Sequence, residues 1–146
     1  MSDLVTGDKQ LERKLARLPD RVLNRVVRRA SAKAMIPVSR SAKANAPRET
    51  GLLAKSIGRK TKVFKSGGTV QTVVGPRLGF KQMVTLPNGK TMLRNPFKYA
   101  HLVEFGTRHS AAKPFMRPAL ESNKGAIIAV YRSELASGVV REAVRA

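Results

Sequence analysis

Residues Ala42–Ile57, AKANAPRETGLLAKSI, hold the turning point of this chain. Asn45-Ala46-Pro47 ends a helical pattern, because proline lacks an N–H and disfavours helical backbone in the residue before it. Glu49-Thr50-Gly51 follows as a turn, with Gly51 free to take positive φ. Upstream, apolar residues recur near a period of 3.6. Downstream the period moves toward two. The chain therefore reads as helices first, then strands, on either side of this stretch.

Upstream, residues 8–17 predict a short helix with Leu11, Leu15 and Leu18 on one face. Leu18-Pro19-Asp20 predicts a break and restart, since proline suits a first helical turn and an acid there suits the dipole. From Pro19 to Ala44, Val22, Val26, Ala30, Ala34, Val38 and Ala42 form an apolar stripe, predicting a helix roughly 39 Å long. Pro37 should kink or split it. The other face carries Arg21, Arg25, Arg28, Arg29, Lys33 and Arg40.

Downstream, residues 56–65 and 69–75 predict two strands around Ser66-Gly67-Gly68. Residues 80–86 and 90–94 predict a second hairpin around Pro87-Asn88-Gly89, a stronger turn signal. Residues 99–105, YAHLVEF, fit either a strand or a short helix. Pro114 and Pro118 bracket Phe115-Met116-Arg117, and Pro118 is expected to open a last helix. That helix would bury Leu120, Ile127, Tyr131 and Leu135 and stop at Ser137-Gly138, leaving 138–146 as a tail. The order predicts an α+β fold with a mostly antiparallel sheet, in a single domain spanning 1–146. Its parts are helical (8–45), basic β (51–98, with an inserted hairpin at about 80–97) and a last helical region (99–137).

The chain has 146 residues, 29 Lys+Arg against 9 Asp+Glu, a net charge of +20 and no Cys. The absence of cysteine excludes disulfides, thiolate catalysis and Cys-bearing zinc sites. No apolar run approaches the roughly 18 residues of a membrane span, and the N-terminus lacks the pattern of a signal peptide. A soluble, intracellular product is the expectation. Residues 1–50 carry 12 basic and 5 acidic side chains, residues 99–146 carry 7 and 4, and residues 51–98 carry 10 and none. Half the excess thus lies in a segment without internal relief, which calls for counter-charge from outside the chain.

Catalytic patterns are missing. His101 and His109 lie eight apart across Glu104 but outside any common metal-ligand spacing. Carboxylates are sparse, and no nucleophile elbow or phosphate-cradling loop is present. Two stretches are more specific: Ala42–Ile57 and Tyr99–Leu120, YAHLVEFGTRHSAAKPFMRPAL. Glu104 is the first carboxylate after Glu49, and in so basic a chain it is expected to pair with an arginine, within the subunit or across a subunit boundary. Phe105-Gly106-Thr107 sets a large apolar anchor beside a turn. Phe115, between two prolines, is expected to plug the core under the last helix.

These stretches, in this order, resemble a family of small tail-component proteins of tailed bacteriophages, described as neck or tail-completion proteins. The likeness covers residues from about 8 to 135. Pro47, Thr50, Gly51, Glu104, Phe105, Gly106, Thr107, Pro114, Phe115, Arg117 and Pro118 carry it. Residues 80–97 look like an insertion, and Pro37 interrupts a helix that the family usually leaves whole. The resemblance implies a non-enzymatic virion protein without cofactors, made in the host cytoplasm and placed in the neck or tail. It implies a homo-oligomeric ring, hexameric or else dodecameric, between head–tail connector or stopper proteins and tail tube or terminator proteins. A tail terminator and a cellular non-specific nucleic-acid-binding protein are the alternatives. Lys81, Lys90, Arg94 and Lys98 are candidate contacts to an acidic partner or to genomic DNA in the channel.

Overall fold

The computed structural model describes residues 8–64 and 69–145. The first third is helical: α1 (Asp8–Ala16), α2 (Asp20–Ala34) and α3 (Ile36–Asn45). Pro37 splits the long helix as expected, at Met35, and sits in the first turn of α3, where its missing N–H costs nothing. Most of the predicted stripe is buried: Val26, Ala30, Ala34, Val38 and Ala42 are buried, and Val22 is half-buried.

After Ala46 the chain turns, with Gly51 at φ 68°. A five-residue helix that the periodicity did not predict, α4 (Leu52–Ser56), buries Leu52 and Leu53. Strands β1 (Ile57–Phe64) and β2 (Thr69–Pro76) pair antiparallel, with Ile57 opposite Pro76 and Phe64 opposite Thr69. The expected Ser66-Gly67-Gly68 turn lies outside the described residues. Strands β3 (Gln82–Thr85) and β4 (Thr91–Arg94) form a separate antiparallel hairpin. Its turn is the expected one: Leu86 N donates to Lys90 O at 2.7 Å and Lys90 N to Asn88 Oδ1 at 3.0 Å. This hairpin makes few contacts with the other elements. The fold is α+β, with two small antiparallel sheets rather than one.

Residues 96–105 form a helix, α5 (Pro96–Phe105), not a strand. Asn95 decides this, accepting the Phe97 N–H on its side chain at 3.2 Å, with Pro96 beside it in the first turn. The last helix is two. α6 (Met116–Ser122) starts two residues before Pro118, and α7 (Lys124–Arg145) runs on past Ser137-Gly138. Asn123 marks the break, its amide donating to Ala119 O at 2.7 Å and to Ser41 Oγ at 2.8 Å.

Gly138 is therefore no stop, and residues 138–145 are no tail. A Cβ there would lie 2.6 Å from Val26 Cγ1, so the glycine is what lets α7 approach α2. Arg25 pairs with Glu142 at 3.5 Å, and Lys33 with Glu134 at 3.0 Å. The Lys33 hydrogen bond and charge, with Arg141 3.5 Å away, hold the Glu134 carboxyl below its ordinary range. Part of the basic face of α2 is thus neutralised by α7. The larger core gathers Val38, Ala42, Ala46, Leu53, Ile57, Ala100, Phe115 and Ala119. A smaller one joins α1, α2 and α7 through Val26, Ala30 and Leu135.

Candidate functional site

The two motif stretches, about 45 residues apart in the chain, meet around the larger core. Leu53 and Ile57 come from the first, and Ala100, Phe115 and Ala119 from the second. Phe115 is 1 % exposed, a plug beneath α6.

Glu104 binds the second stretch together. It projects from α5, and its carboxylate accepts three main-chain N–H groups. Phe115 N lies 2.8 Å and Met116 N 3.0 Å from Oε2, while Arg117 N lies 3.0 Å from Oε1. These are orphan donors at the start of α6, so Glu104 caps that helix from another helix. Within the subunit, main-chain N–H groups rather than an arginine side chain meet the carboxylate. The Arg117 guanidinium reaches instead toward Glu121, 3.9 Å away. Burial alone would raise the Glu104 carboxyl, but the N–H groups of Met116, Phe115 and Arg117 and the Arg117 charge hold it below the ordinary range.

Gly106 ends α5 at φ 76° and ψ 173°, a conformation essentially confined to glycine. A Cβ there would meet Ala112 N at 2.7 Å. The loop that follows closes on itself: Thr107 Oγ1 accepts from His109 N at 3.2 Å and Ser110 N at 3.1 Å, and Lys113 N donates to Val103 O at 2.8 Å.

Two hollows flank this junction. A groove of about 900 Å³ is lined by Val38, Val74, Glu104, Phe105, Pro114 and Leu120, among others. Phe105, the expected anchor, is 80 % exposed at its edge, and Leu120, expected in the core, is exposed beside it. A smaller hollow of about 310 Å³ is lined by Pro47, Thr50, Thr107, Arg94, Glu49 and Tyr99, with others. Burial raises the Tyr99 hydroxyl above its ordinary range, with Glu49 adding to the rise and Arg94 opposing it.

The four candidate basic contacts lie on different parts of the fold. Lys90 sits at the β3–β4 tip and Lys81 at its base, Lys98 is exposed on α5, and Arg94 is half-buried against the smaller hollow. Lys60 and Lys62 are not among the residues that the sequence singled out. They share one face of β1, because alternation at a spacing of two puts both side chains on the same side. Among the described residues no group of three or more His, Asp or Glu side chains is placed to hold a metal ion, and no helix is long and apolar enough to cross a membrane.

No curated protein and no solved structure matches the chain. A family model does, over residues 9–106, about two thirds of the length; its description is "Bacteriophage HK97-gp10, putative tail-component". The matched span takes in Pro47, Thr50, Gly51, Glu104, Phe105 and Gly106, and stops before the residues that Glu104 caps. By that match, the chain belongs to the HK97-gp10-like family of bacteriophage tail components.

Proposed function

We propose that the chain is a non-enzymatic structural subunit of the phage neck, assembling as a ring that completes the tail and joins it to the head connector. Membership of a phage tail-component family carries this reading. Two features of the surface support it. First, the groove under Phe105 leaves a large aromatic ring 80 % exposed, with Leu120, 44 % exposed, lining the same groove. Contiguous apolar surface of this kind marks a contact with another protein, and copies meeting head to tail through it with a closing rotation would form a ring. Second, residues 51–98 hold no carboxylate, so a ring of such subunits needs acidic neighbours or DNA as counter-charge.

The expected phenotype follows. A phage carrying a nonsense codon in this gene should accumulate DNA-filled heads and separate tails, and adding the purified chain to that lysate should restore joined, infectious particles. Normal yields of joined particles without the chain would refute the reading.

A further inference from the structure

The β1–β2 ribbon has two unlike faces. Thr61, Val63, Val70, Thr72 and Val74 are half-buried, on the side that packs toward α2 and α3. Lys60, Lys62, Phe64 and Val73 point the other way, and the register sets Lys60 opposite Val73 and Lys62 opposite Gln71. With Leu78 and Phe97 they line a groove of about 560 Å³ that contains no carboxylate.

This face is amphipathic. Val73 is 56 %, Leu78 69 %, Phe97 47 % and Phe64 44 % exposed. Its arginines are engaged within the fold: Arg59 donates to Ala32 O, and Arg77 to Lys55 O at 3.0 Å and Ser56 O at 3.3 Å. Lys60 and Lys62 take part in no ion pair among the described residues. Two cations thus stand available beside aliphatic side chains.

The chemistry of the face selects its occupant. A DNA backbone would use the two lysines but leave Val73 and Leu78 without a partner, because phosphate contact covers no aliphatic surface. Among the described residues, a second copy of this chain offers no acidic cluster. Its exposed carboxylates among the described residues, Glu12, Asp20, Glu49 and Glu121, are scattered over separate elements. Glu104, Glu134 and Glu142 are already engaged. Charge complementarity thus favours a different protein as the source of the acids.

We infer that the exposed face of the β1–β2 ribbon docks an acidic, partly aliphatic surface of another virion protein. Lys60 and Lys62 meet its carboxylates, and Val73 and Leu78 its apolar side chains. The inference rests on the neck reading for the source of that partner.

The test uses the full chain with heads and tails purified from the nonsense-codon phage. Sedimentation measures binding of wild type, Lys60→Glu/Lys62→Glu and Val73→Ser/Leu78→Ser; circular dichroism checks folding, and Lys60→Ala/Lys62→Ala serves as a milder charge variant. Both pairs should weaken binding to one of the two particles by about tenfold or more, as expected for central interface residues. Affinity for a short DNA duplex should be indifferent to the Val73/Leu78 pair. If that pair binds particles like wild type, the docking face is wrong and the neck reading stands. The docking face is equally wrong if the lysine pair changes only duplex binding, since it is then a phosphate contact. If wild type binds neither heads nor tails, the neck reading fails and takes this inference with it.

Discussion

Phe115→Ala is expected to lower stability by about 3–5 kcal/mol, the usual cost of deleting a buried aromatic ring and leaving a cavity. Phe115 is 1 % exposed and packs with Val38, Ala42, Ala46, Leu53, Ile57, Ala100 and Ala119, which join α3, α4, β1, α5 and α6. Most of these neighbours are alanine or valine, too short to collapse into the space. A domain of ordinary stability, about 5–15 kcal/mol, would lose a large share of it. Urea unfolding should show a lower midpoint at an unchanged slope, the mark of a stability change without a change in the exposed surface. Phe115→Leu, which keeps most of the volume, should lose clearly less. An Ala variant as stable as wild type would remove Phe115 from the centre of the core.

Glu104→Ala comes next, at about 2–4 kcal/mol. Hydrogen bonds to a charged group contribute about 1.5–3 kcal/mol each by mutation, but α6 starts near the surface, where water can replace part of the loss. Three N–H donors lose their acceptor at once. Glu104→Gln should fall between, since a single amide oxygen serves fewer donors and carries no charge. The effect depends on pH in a defined direction. The carboxyl is held below its ordinary value in the folded chain, so its contribution is present above the unfolded pKa of about 4.3. It is lost as pH falls through the folded value. Melting curves from pH 7 downward should show the gap between wild type and Glu104→Ala constant near neutrality and closing in acid. A gap that widens in acid would contradict the capping role.

Local chemistry is what could be read along the chain. The apolar stripe from Val26 to Ala42, the break at Pro37 and the Pro87-Asn88-Gly89 hairpin depend on neighbours a few residues away, and each formed where its signal lay. Asn95-Pro96 was an equally local helix start, and reading it would have settled residues 96–105. The failures share a different cause. Gly138 looked like a helix stop because glycine often is one; its actual role is set by Val26, more than a hundred residues away in the chain. The start of α6 could not be read from its own residues, because its cap comes from Glu104 on another helix. Leu120 lies in phase with the buried positions of the predicted helix, but the break at Asn123 takes it out of that phase. Alternation in β1 divided its side chains into two faces but not into covered and open, so Lys60 and Lys62 stayed hidden among ten basic residues of the carboxylate-free segment.

A ring subunit between head and tail must be visible there. Cryo-electron microscopy of the neck in intact virions is the decisive measurement. The map should show a closed ring of copies of this fold between the connector and the tail tube, with Phe105 covered by a neighbouring copy and the Lys60–Lys62 face turned toward a different protein. Joined virions whose neck density contains no copy of this fold would contradict the proposed role.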